Sequence, residues 1–142
     1  MINDITMLNF IRQNTQMGRQ GIHEMMAHTE NREFSQALNR QLREYESIYA
    51  EADRMLTELG GTRENLSTMA KISSQMMTTM KTMADPSVSH MADMMIQGST
   101  MGVTKIIQSK NDYDQSNTKV IALADSLLKT EQNNIEEMKK FL

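Results

Sequence analysis

The side chains from which this chain could build a reactive or ligand-binding centre are its three histidines, eighteen acids and sixteen methionines. It has no cysteine, which removes a thiolate nucleophile, a disulfide framework and any cysteine-ligated zinc or iron–sulfur site. A di-metal centre in a helical bundle needs carboxylates from facing helices together with a Glu-x-x-His element. Hard and borderline metals take oxygen and imidazole ligands converging on one inner surface. The spacing for this is missing. Gln20 stands three residues before His23, Met25 before His28, and Ser87 before His90. Glu44 and Glu46 flank Tyr45, but Ser47 stands where Glu44 would need its histidine. His23 lies beside an apolar stripe, on the side expected to face solvent.

Glu131 is the one acid that falls on a predicted inner stripe, between Leu128 and Ile135. An unpaired carboxylate in a core is either neutralised or strongly destabilising. Two readings stay open. Glu131 sits at the stripe's edge or accepts hydrogen bonds from Tyr45, Thr100 or Gln41; or it is a lone buried acid acting as ligand or proton carrier. Methionine also reads two ways inside the chain. Met76, Met77, Met80 and Met83, then Met91, Met94 and Met95, offer thioethers to a soft metal such as Cu(I). The same spacing is that of a bundle core in which flexible Met replaces Leu. A methionine-rich surface that grips partner helices is a third use. No Ser-His-acid set can be assembled, and Gly98-Ser-Thr-Met-Gly102 follows no strand, so it is not a phosphate loop. The expectation is no catalytic residue, no cofactor and no metal; if a metal were found, the candidates are Glu131, Glu44, His23 and Met94.

These residues must be positioned by helices. Proline occurs once, aromatics make up 4 %, and apolar residues 39 %; alternating β-branched runs are absent, and helix formers dominate. Apolar residues at three- and four-residue spacing predict about five helices, over 4–28, 32–59, 63–83, 86–109 and 116–141. Gly60-Gly61 ends the second in the left-handed conformation a helix C-terminus favours. Asp85 caps the fourth, with Pro86 at its first position. Gly18 and Gly21 interrupt the first helix, where close approach of a neighbour, or a kink opening a pocket, would account for them. The third helix, rich in Ser, Thr, Gln and Lys, is the weakest and reads as a connection between two hairpins. The whole, residues 1–142, is expected to be one helical-bundle domain. The net charge of −3 is small and its signs are interleaved, so neither a basic stripe nor stacking aromatics argue for nucleic acid. No apolar run reaches the roughly 18 residues of a membrane span, and MINDITMLNF lacks the basic start of a signal peptide. A cytoplasmic location is expected.

The segments DMMIQGSTMGVTKII and VIALADSLLKTEQNNIEEMKKFL resemble the second helix pair of ferritin-like four-helix bundles. QMGRQGIHEMM and QLREYESIYAEADRMLTELG fit the first hairpin. The pattern is similar to that of an uncharacterised bacterial ferritin-like family with a Met-Ile-x-His-His helix and a final helix ending in Glu-Ile-x-x-Met. Here Met95-Ile96-Gln97 is followed by Gly98 and Ser99, so that family's histidine pair is not carried over. The resemblance implies an all-α, ferritin-like up-down four-helix bundle with an additional connecting helix and without the di-metal site. The expected role is a non-catalytic scaffold or protein-interaction module, pairing as a homodimer or with another helical protein. A metal-binding or metal-storage protein is the alternative. A small-ligand site in the gap above Gly98 and Gly102 is a second, and it would need a pocket of a few hundred Å³ with polar groups converging on it.

Overall fold

Four of the five helices start at a side chain that accepts a hydrogen bond from a free N–H of the first turn. Asn3 takes the amide of Thr6, Asn31 that of Phe34, Ser87 that of His90, and Asn117 those of Lys119 and Val120. Each such cap stabilises its helix by about 1 kcal/mol. A computed structural model describes residues 1–142, the side chain of Thr68 excepted. The helices are α1 (Asp4–His28), α2 (Arg32–Glu58), α3 (Ser67–Lys81), α4 (Val88–Asp112) and α5 (Thr118–Lys139). The chain is the all-α bundle its periodicity predicts. No helix among the described residues is long and apolar enough to cross a membrane.

The ends of the elements fix how they run. At one end, the Ile2 amide donates to Asp112 O at 2.7 Å and the Asp114 amide to Ile2 O at 3.1 Å, tying the start of α1 to the α4–α5 connection. The phenol of Tyr113 donates to Asp4 across the same junction. Gly61, just past α2, lies against Ile5. At the other end, Phe34 meets Phe141 edge-on, with ring centroids 5.2 Å apart, and Arg40 pairs with Glu137 at 2.9 Å. α1 is therefore antiparallel to α2, and α4 to α5. Because α3 carries the chain from the end where α2 finishes to the opposite end, α2 and α4 run the same way.

Several boundaries differ from those the pattern predicts, each for a local reason. α2 stops at Glu58 with Gly60 at φ +66°, the Gly61 amide on Leu56 O and the Gly60 amide on Thr57 O. These two bonds make a Schellman cap, as the glycine pair predicts. Leu59 consequently turns outward. α3 begins at Ser67, not at residue 63. Residues 62–66 form an extended strap whose polar backbone is held by side chains of α1. Asn9 donates to Thr62 O at 2.8 Å and accepts from the Glu64 amide at 2.9 Å, Arg12 donates to Glu64 O at 3.0 Å, and Gln13 accepts from the Leu66 amide at 2.8 Å. With those groups satisfied, the strap has no need of helical bonds. At α4, Asp85 accepts from the Ser87 amide at 2.9 Å and Ser87 is the cap, so Pro86 stands outside the helix. α4 then runs on to Asp112, through residues expected to form a loop, because Tyr113 is buried and anchors the end.

The strap fixes where α3 starts. α3 then lies along α1, with Met69 and Met80 buried and Met76 and Met77 half-buried. It covers the middle of the bundle, where the core is polar.

Candidate functional site

Most of the core is Met, Leu, Ile, Phe and Ala, but one layer midway along the bundle is not. α1 contributes Asn14, α2 Tyr45, α4 Ser99, and α5 Glu131 and Asn134, all buried. Helical spacing places them: Glu131 follows Ala124 and Leu127 on the buried stripe of α5, and Asn134 is three residues further on. The Asn134 amide donates to the Tyr45 hydroxyl at 3.2 Å. The Tyr45 and Ser99 hydroxyls both lie toward the Glu131 carboxylate and favour its ionised form. Burial outweighs them. Glu131, 3 % exposed, has its pKa pushed up from 4.5 to about 7, because a carboxylate loses its hydration in a low-dielectric core. Burial, followed by the charge of Glu131, holds the Tyr45 phenol well above its ordinary value. The Tyr45 phenol therefore stays protonated throughout the physiological range.

Glycines make room for these groups. A Cβ on Gly18 would stand 2.6 Å from the Tyr45 ring, and one on Gly102 would stand 3.1–3.4 Å from the Glu131 carboxylate. The glycines of α1 therefore seat side chains, Tyr45 at Gly18 and Met80 at Gly21. Helix α1 runs unbroken past both. On α4, Gly98 seats the Met76 methyl, which would lie 2.7 Å from an added Cβ.

These residues enclose a chamber of about 40 Å³, roofed by Met76 and Met80 of α3. Asn14, 4 % exposed, lines it, and its Nδ2 has no hydrogen-bond partner among the described residues. A chamber this size holds roughly one to three water-sized groups. Beyond the roof, a groove of about 250 Å³ runs between α3 and α4. It shares Ile72, Met76, Met80, Gly98 and Met101 with the chamber, so methionine side chains are the partition between the two. The chamber lies by Gly98 and Gly102, where a small-ligand site was expected, but its polar groups line only about 40 Å³, and the 250 Å³ groove beside it is lined mostly by apolar side chains.

The four residues named as possible metal ligands are not brought together. Glu131 is in the chamber and Met94 lines the groove. Glu44 is exposed in a separate cleft with Arg40 and Glu137, and His23 faces solvent. Of the hydrogen-bond donors considered for Glu131, Tyr45 is its neighbour; Ser99 takes the place expected of Thr100 or Gln41, and Gln41 donates instead to Glu137 at 3.0 Å. No group of three or more His, Asp or Glu side chains that could hold a metal ion exists among the described residues. Glu131 is the chamber's single carboxylate, and the position three residues on, where a Glu-x-x-His element needs imidazole, is the amide of Asn134. The donor set does not fit a di-metal centre.

Asn14 and Asn134 escape a reading by hydrophobic stripe, because the pattern assigns amides to the surface. The available signal was the i, i+3 relation of Asn134 to Glu131. No curated protein and no solved structure matches the chain. A family model described as Domain of unknown function (DUF2383) matches residues 3–112. The match takes in the first four helices and stops short of the one that carries Glu131. The chain belongs to the DUF2383 family.

Proposed function

We propose that this protein is a ferritin-like helical bundle that has no di-metal centre and works as a non-catalytic binding module. The observation that carries the reading is the composition of the mid-core layer: one carboxylate, Glu131, beside Tyr45 and Ser99, with Asn134 on the Tyr45 hydroxyl. Two lines of support meet here. The resemblance puts a histidine pair where this chain has Gly98 and Ser99, and Ser99, with Gly102, lies on the face of α4 toward Glu131. The course of the chain, with one long connection between two antiparallel hairpins, is also the ferritin-like arrangement. Oxygen and imidazole ligands are too few in the layer for a hard or borderline metal.

The exposed large apolar side chains do not select a second copy as the partner. Met1 and Leu59 lie near one end, Leu142 at the other, and Met101 and Ile107 on α4. They are spread over both ends and α4, and isolated apolar residues are ordinary on a surface. The binding reading rests on the chamber and its groove instead. Thermal unfolding in chelator, then with Mn²⁺ or Zn²⁺ added, tests the reading. The expected result is an unchanged midpoint, since a ligand raises it only by binding the native state. A saturable rise that disappears in Glu131→Gln would overturn it.

A further inference from the structure

We propose that the chamber and the groove together bind a short amino alcohol, with its ammonium against Glu131 and its carbon stem among the methionines of α3 and α4. The inference rests on the metal-free reading of the core and names the ligand class that such a core would take.

Charge comes first. Glu131 is buried without a cation. Lys105 is the other charged residue of the chamber's lining, and it forms no ion pair with Glu131 among the described residues. A carboxylate removed from water gains most from a partner that is both cationic and a hydrogen-bond donor. A primary ammonium supplies three N–H groups, enough for Glu131 together with the oxygens of Ser99 and Tyr45. A quaternary ammonium supplies none. A guanidinium is a planar fork that wants a second acceptor in its plane, and no second carboxylate lines the chamber.

Asn14 adds the second requirement. Its Nδ2 is buried in the lining of the same chamber with no partner among the described residues, and such a group costs about 1–3 kcal/mol until it meets an acceptor. A hydroxyl oxygen close to the ammonium meets that need. Volume sets the third. About 40 Å³ takes the ammonium and its nearest atoms, and the adjoining 250 Å³ groove takes the remainder. The side chains shared by the two spaces include Met76 and Met80, unbranched, with tips that rest on Gly98 and Gly21. Flexible thioethers repack at low cost.

Calorimetric titration with 3-amino-1-propanol at pH 8, in amine-free phosphate buffer, tests the proposal, with propylammonium and 1-propanol as comparisons. Saturable binding of the amino alcohol is expected, weaker binding of propylammonium and none of propanol. Glu131→Gln should weaken the amino alcohol by roughly ten- to a hundredfold, the worth of a charge-assisted hydrogen bond. Asn14→Ala should bring it down to the level of propylammonium while leaving propylammonium unchanged. This second variant decides the matter if the first does not fold. Methyl resonances of Met76, Met80 and Met101 should shift on binding, and those of Met7 and Met55 should stay. No saturable binding, equal affinity in Glu131→Gln, or shifts spread to Met7 and Met55 would overturn the proposal. Saturable Ag⁺ or Cu(I) binding that moves the same methyls while the amino alcohol does not would also overturn it, giving the site to a soft metal. Metal-free protein indifferent to the amino alcohol would sink this assignment alone, whereas stoichiometric iron or manganese in the sample would sink the metal-free reading beneath it.

Discussion

Glu131 dominates the chemistry at the scale of single residues, and its cost has a definite sign. Its folded pKa of about 7 lies above that of an exposed glutamate. Between roughly pH 4.5 and 7 the native state therefore binds more protons than the unfolded chain, and stability falls as pH rises through that window. The loss from this group amounts to roughly 3 kcal/mol and is complete above about pH 7. Denaturant unfolding of the parent and Glu131→Gln across this range should show the slope in the parent and its flattening in the variant, with the variant at least as stable at pH 8. A variant less stable at pH 8 would mean that a cation already holds the carboxylate. The glycines give a second contrast. Gly18→Ala drives a methyl into the Tyr45 ring, which is packed in the core, and overpacking of this kind costs about 1–3 kcal/mol, more than the helix gains from alanine. Gly98→Ala meets only the movable tip of Met76, so the gain of up to about 1 kcal/mol in helix propensity should show as a higher melting temperature. Equal shifts for the two variants would refute the assignment of Gly18 as a ring seat. Apolar periodicity finds Glu131, since it stands in register with Leu127 and Leu128. The same rule cannot find Asn14, because a polar residue on a helix carries no mark of the cavity that it faces.

The strap and α3 decide how the site is covered, and this is where element and sequence part most. The run after Gly61 lacks a side-chain cap at Leu66, and its backbone is satisfied by Asn9, Arg12 and Gln13, more than fifty residues earlier. A local pattern cannot show a bond that distant. Nor can it show that α1 is buried on nearly every side from Met7 to Thr15, because the one-face rule assumes a helix with one wet side. Asn9→Ala should release the strap. Amide exchange at Glu64 and Leu66 should lose protection, with a stability cost of about 1–3 kcal/mol for the unpaired backbone groups. Protection unchanged at Glu64 would contradict the strap's dependence on α1. By contrast, the ends set by adjacent residues were legible: Gly60 terminates α2, and a boundary stands at Asp85-Pro86, although its cap is Ser87 and not Asp85.

For the whole molecule, helix composition and spacing were enough for an all-α bundle with a connecting helix, because one apolar stripe per helix leaves few ways to bury it. They could not decide what the polar interior does, since that depends on which side chains meet across four helices. The meeting is of one acid with hydroxyls and amides, in a chamber whose glycines leave space and whose roof is methionine. A layer without a di-metal centre should leave its mark in elemental analysis of protein purified without chelator. Iron, manganese and zinc should be far below one atom per chain. One or two atoms of any of them per chain, lost when Glu131 is replaced by glutamine, would contradict it.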